Sequence, residues 1–191
     1  MFKDLVKFNR SYRGFDESKT FTREELIEYV DHARLTPSSV NTQPFRYYIA
    51  NEKEVVDRIQ PLTGWARALP DLNLPYEGKR PTAFIIVCQD KNISEAIPRF
   101  AKDVGIVSQT ILLAAAEKNI GGCMIGNFSP DKVSQELNLA ENIAPVLIIA
   151  LGKPDETIIL KEISEGDDIK YYRDENDVHY VPKRKLEDII L

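Results

Sequence analysis

Apolar residues three and four apart predict helices over residues 2–8, where Phe2, Leu5 and Val6 fall on one side, and over 23–35, where Leu26, Ile27 and Val30 do. Thr22 with Glu25 three positions on forms a capping box for the second helix. Pro37 disfavours helical backbone at Thr36 and ends it. Phe45–Ala50 is aromatic and β-favouring and reads as a strand. Asn51 and Glu54 suggest another helix start, with Val55, Val56 and Ile59 carrying the helix to about Pro61. Residues 62–80 hold Gly64, Pro70, Pro75 and Gly78 among scattered aromatics, a long irregular segment.

The run at 82–89, centred on Ala-Phe-Ile-Ile-Val-Cys, is continuously apolar and predicts a buried strand. From 98 to 118 the pattern is helical and apolar nearly all round, which requires burial at the domain centre or against a second subunit. Asn119 and Gly121 offer left-handed stop positions after it. A short strand over 122–127, a helix opened by Ser129 as cap with Pro130 in its first turn, and a buried strand over 146–151 follow. Residues 169–172 and 178–181 flank Asp174–Asp177 and read as a hairpin, before the basic run Lys183-Arg184-Lys185. Helices alternating with a few buried strands give an α+β or three-layer domain.

The chain's 191 residues suit one domain, and 43% hydrophobic with 29% charged residues excludes disorder. A net charge of -5 argues against a nucleic-acid partner, because such proteins present a basic surface, yet a local arginine cluster can still hold a small anion. No run is long enough for a membrane span and the start carries no signal-peptide pattern, so a cytoplasmic protein is expected. Cys88 and Cys123, isolated in apolar surroundings, read as buried free thiols.

Signatures of nucleophilic, phosphate-loop and zinc chemistry are missing. The only histidines are His32, read as a surface or capping residue, and His179, read as an ordinary hairpin residue. A chain built this way either does no chemistry or borrows it from a cofactor. Arg10-Ser11-Tyr12-Arg13 sets two guanidinium groups around a hydroxyl, a phosphate clamp or else a solvated basic turn. The loop Thr36–Pro44 packs hydroxyl and amide side chains between a helix and a strand, as ligand donors or plain turn formers.

In combination these segments resemble the nitroreductase family of FMN-dependent oxidoreductases, over nearly the whole chain. The family's R-S-x-R-x-F element is matched by Arg10–Phe15, and its P-S-x-x-N-x-Q-P element by Pro37–Pro44. An alanine-rich helix, G-x-C-x-I-G, a strand ending in Gly-x-Pro and a terminal Arg-Lys are matched by Ala114–Ala116, Gly121–Gly126, Gly152–Pro154 and Arg184-Lys185. Tryptophans common in the family are replaced by Phe45 and Met124, and the proline after the terminal Arg-Lys is absent, which leaves the register of Lys183 and Lys185 open.

The resemblance implies a single α+β domain over 1–191, a three-layer α-β-α fold on a central, mainly antiparallel sheet. It implies a homodimer with non-covalent FMN at the subunit interface. Arg10, Ser11 and Arg13 would hold the phosphate and ribityl chain, with Arg184 closing on the phosphate. Pro37, Ser38, Ser39 and Asn41 would line the flavin, the serines and Asn41 coming from the other subunit, while Ile125 and Gly126 pass the ring with their backbone. Residues 62–80 are a candidate lid, and 155–191 an extension toward the flavin site or the partner. The implied activity is ping-pong transfer from NADH or NADPH to a small aromatic or quinone-like acceptor. A flavin carrier or redox sensor, and an interaction protein on a decayed flavin scaffold, are the alternatives.

Overall fold

The computed structural model describes residues 1–191. Its elements in order are α1 (Phe2–Phe8), β1 (Phe15–Asp16), α2 (Arg23–Arg34), β2 (Phe45–Ala50), α3 (Lys53–Ile59), β3 (Ala83–Asp90) and α4 (Ala101–Glu117). There follow β4 (Gly121–Ile125), α5 (Pro130–Glu136), β5 (Ile143–Pro154), β6 (Ile158–Ile163), β7 (Tyr172–Arg173) and β8 (His179–Arg184).

Every residue of β3 is buried, so alternate side chains enter two different cores. Ala83, Ile85 and Val87 pack with Leu26, Tyr29, Val107, Ile111 and Ala115 beneath α2 and α4. Phe84, Ile86 and Cys88 pack with Val56, Ile59, Val133 and Leu137 beneath α3 and α5. Helices thus cover both faces of one sheet, the expected α-β-α layering. β5 is its other spine. It pairs along one edge with β3 and on the other with β4, β1 joining its last two residues and β2 flanking β3, all antiparallel.

Local signals held where they were self-contained. Thr22 Oγ1 accepts the Glu25 N–H at 3.1 Å and Glu25 accepts the Thr22 N–H at 2.7 Å, a cap worth about 1 kcal/mol. Ser129 caps α5, and Asn119 turns left-handed after α4 with φ 59°. Strand β2 falls on its predicted bounds.

Other expectations are corrected. Asn51 does not cap α3: it donates to the Phe21 carbonyl at 3.2 Å, and Glu52 holds the cap position without a side-chain bond. Pro98 lies in a 3-10 turn, Ile97–Phe100, so the long helix begins only at Ala101. Lys102, Gly105, Ile106 and Gln109 form an open face of that helix in the single chain, so the domain centre alone does not bury it. Strand β4 starts at Gly121, which therefore belongs to the sheet and not to the helix stop. Strand β5 extends three residues beyond the predicted run at each end.

The last forty residues build a second sheet, β6-β8-β7, with β6 and β8 parallel. The predicted hairpin exists as β7 and β8, although β7 is only two residues long and β8 runs on through the basic cluster. No helix is long and apolar enough to cross a membrane. Cys88 and Cys123 are buried free thiols, and burial pushes them up to about 12 and about 11.

Candidate functional site

The turn after α1 hangs on the edge of the main sheet. Ser11 bridges to Gly122 of β4, and the Tyr12 N–H donates to the Gly122 carbonyl at 3.1 Å. Tyr12 lies so close to the strand that a Cβ on Gly121 would sit 2.4 Å from its ring, which requires glycine there. Where this turn, α4, β4 and the second sheet meet, they enclose a cavity of about 330 Å³.

Its walls carry Arg10, Ser11, Arg13, Tyr171, His179 and Lys183, with Gln109, Leu112, Gly122 and Met124 among the others. Three lining residues are cations and none is acidic, in a chain of net charge -5. None of the three makes an ion pair. Arg10 instead donates to the carbonyls of Asn9 (2.6 Å) and Val6 (2.8 Å). Arg13 donates to the Ser11 carbonyl at 3.1 Å and lies 4.9 Å over the Tyr171 ring. Cations without an ion-pair partner around a concave space favour an anion there.

Behind this wall a buried carboxylate locks the second sheet to the turn. Glu156 accepts the Arg13 backbone N–H and the Arg173 guanidinium, and Arg173 also pairs with Asp177 at 2.9 Å. Burial pushes the Glu156 carboxyl up, against the pull of its hydrogen bond from Arg13 and the arginine charges. Burial, aided by Arg13 and Arg173, depresses His179 to about 4. The ring is therefore neutral at neutral pH, and its 4.0 Å approach to Glu156 is not an ion pair. Both His179 ring nitrogens and Arg13 Nε are buried without a hydrogen-bond partner.

The Pro37–Gln43 loop lies elsewhere. Asp103 of α4 organises it, accepting from Ser38 Oγ (2.9 Å), Ser39 N (2.6 Å) and Ser39 Oγ (2.6 Å). Burial alone would raise that carboxyl, but the bonds from Ser39 and Ser38 together outweigh it and hold the group below its usual value. So anchored, the loop carries Val40, Asn41 and Gln43 with φ of 54°, 54° and 50°. Val40 is left 83% exposed. Pro37, Ser38 and Gln43 border a second cavity of about 390 Å³ with Phe45, Tyr47 and Val107.

One chain therefore gathers Arg10, Ser11 and Arg13 at the first cavity and Pro37 and Ser38 at the second, which share no lining residue. Ser39 and Asn41 line neither. On β4 the alternation turns Gly122 and Met124 to the first cavity and buries Ile125 on the opposite face. Gly126 is exposed, with no atom within 4 Å of where its Cβ would be. On β8, His179, Val181 and Lys183 line the cavity, and Arg184, the next residue on the strand, does not. His179, set aside as an ordinary hairpin residue, is a cavity wall, whereas His32 is exposed and bonded to the Glu28 carbonyl at 2.7 Å, as expected.

The stretch 62–80 contributes nothing to this cavity. Its Trp65 packs edge-on against Phe15, and its Tyr76 donates to Asp177 at 3.3 Å.

A family model described as the Nitroreductase family matches residues 6–153. A Methanothermobacter thermautotrophicus protein, provisionally named NADH dehydrogenase/NAD(P)H nitroreductase, is 29% identical over 172 residues, covering 87% of this chain and 84% of that one. A nitroreductase family protein from Clostridium difficile 630 has a similar crystal structure, with TM-score 0.64 and 25% identity over 80% of this chain and 84% of that one. A provisionally assigned nitroreductase from Exiguobacterium sibiricum, solved in complex with FMN, gives TM-score 0.65 at 22% identity, covering 81% and 88%.

Proposed function

The chain belongs to the nitroreductase family, and on that premise we propose that it is an FMN-dependent oxidoreductase taking hydride from NADH or NADPH and reducing a small aromatic or quinone-like acceptor. The observation that carries this reading is the cavity at the Arg10–Arg13 turn, with three cations, no carboxylate and buried polar atoms that lack partners. Protein interiors rarely leave such atoms unsatisfied, so the donor set fits a bound anion with further hydrogen-bond acceptors. The relatives' names support the donor, and the FMN complex of the Exiguobacterium protein supports the cofactor.

Bound FMN supplies the hydride chemistry that the chain's own side chains lack. The half-buried Arg10, the exposed Ser11 and the exposed Lys183 hold the phosphate and ribityl chain at the open end. Met124 and Leu112 would give the ring an apolar wall, with Gly122 beside them in the cavity lining. Donor and acceptor share one stacking slot in turn, which makes the kinetics ping-pong. A homodimer completes the site: Ser38, Ser39 and Asn41 of the partner subunit reach the flavin. Two observations support this, the exposed Val40 at the tip of an internally anchored loop and the separation of the two cavities within one chain.

Purified protein should show flavin absorbance that heat releases as FMN, and its flavin should bleach anaerobically with NADH or NADPH. A colourless protein that binds no added FMN refutes the reading and promotes the decayed-scaffold alternative. Bound flavin that neither nicotinamide reduces leaves a carrier or sensor instead.

A further inference from the structure

The first cavity has two unlike ends. His179 and Lys183 stand on the same face of β8, four residues apart, a span of roughly 13 Å along an extended strand. Lys183 is exposed, and the lining residues Arg10 and Ser11 are half-buried and exposed. At the other end Arg13 is buried against Tyr171, and the Tyr171 ring centroid is 5.4 Å from that of His179, itself only 2% exposed.

Such a polarity matches a long ligand with a strongly hydrated dianion at one end and a flat, weakly polar edge at the other. A phosphomonoester suits the solvent-facing cations. The deep end offers one buried cation and one neutral imidazole, a set suited to a carbonyl and a ring nitrogen on which charge collects during reduction.

We infer that His179 is a cofactor ligand, donating a ring N–H with Arg13 beside it to the pyrimidine edge (N1 and C2=O) of the flavin. Both imidazole nitrogens lack partners, a costly arrangement for a group so buried. Glu156 cannot supply the partner: it lies 4.0 Å away and is already engaged by Arg13 and Arg173. Arg173 in turn is paired with Glu156 and Asp177, so that network is charge-complete and holds the strand end in place without using the imidazole. The assignment rests on the FMN reading and adds the second sheet to the cofactor site. It also moves Arg13 from the phosphate, where the family pattern put it, to the ring.

The chain has only two histidines, and His32 is exposed on α2, so imidazole 15N resonances report the site with an internal reference. Flavin-free full-length protein is titrated with riboflavin, FMN and inorganic phosphate. The His179 signals should move with riboflavin and FMN alike and stay still with phosphate, His32 remaining unchanged. Movement with FMN and phosphate but not riboflavin would place His179 at the phosphate and overturn the inference. Stationary His179 signals while flavin fluorescence is quenched by binding overturn it too, a buried water then satisfying the ring. Failure of FMN to bind at all refutes the proposed function itself.

A second readout is the midpoint potential of bound flavin. His179→Phe should weaken reduced flavin at least about tenfold more than oxidised flavin, lowering the potential by about 30 mV for a two-electron couple. His179→Gln, which keeps a neutral donor, should restore most of it. An unchanged potential in a His179→Phe protein that still binds flavin overturns the inference.

Discussion

Asp103→Asn should loosen the Ser38–Asn41 loop by a predictable amount. The native carboxylate accepts three hydrogen bonds, from Ser38 Oγ, Ser39 N and Ser39 Oγ. In its best orientation the amide oxygen keeps the Ser38 hydroxyl and the Ser39 N–H, while the amide nitrogen donates to a rotated Ser39 hydroxyl. Contacts survive, but all three lose charge assistance, about 1 kcal/mol each. Removing a buried charge returns part of this, since burial is the largest single influence on the carboxyl. The net cost is about 2 kcal/mol, or a melting point lower by about 4–8 °C for a domain of this size. The pH dependence has a definite sign. The folded carboxyl titrates below its ordinary value of 3.8, so its stabilisation is present above that value and is lost as pH falls through the folded one. Native and variant melting points, measured by calorimetry at matched concentration, should therefore differ at pH 6 and converge in strong acid. A gap below about 1 °C at pH 6, or one that persists unchanged in acid, would refute the assignment of Asp103 as the loop's anchor.

Three further outcomes follow from the geometry. Arg10→Ala should weaken FMN by about 1–3 kcal/mol while leaving riboflavin affinity unchanged, as read by fluorescence quenching; equal losses for both would place Arg10 away from the phosphate. Gly122→Ala would set a Cβ 2.5 Å from both the Ala150 carbonyl and Leu112 Cδ2, so β4 or β5 must shift. It should cost about 1–3 kcal/mol in urea unfolding, and an unchanged midpoint would contradict the close approach. In flavin-free protein His179 should titrate near 4, well below 6.5, by NMR. Because the folded chain binds that proton less readily than the unfolded one, this residue's contribution to stability falls as pH drops from about 6.5 toward 4. A His179 midpoint near 6.5 would mean that the ring is not buried as the structure shows.

What could be read from the chain divides by range of interaction. The Thr22–Glu25 capping box, the Ser129 cap and strand β2 depend on a few adjacent residues, and their patterns state them directly. Buried β3 was legible because a strand covered on both faces is apolar throughout. By contrast β6 has four exposed residues in its middle and its ladder partner is twenty-one positions away, so no local alternation marks it. The two-residue β1 is shorter than any pattern.

The site shows the same division. The Arg10–Arg13 motif was visible as chemistry, but its cavity is closed by Tyr171, His179 and Lys183, about 160 positions later. Choosing between Lys183 and Arg184 needs the phase of β8, and a motif match to a basic run carries no phase. Once His179 is buried, alternation sends Lys183 to the same face and Arg184 to the other. One buried histidine thus fixes which residue of the basic run lines the cavity. For that reason the sequence pattern could find the Arg10–Arg13 turn but not the β8 residues that close its cavity.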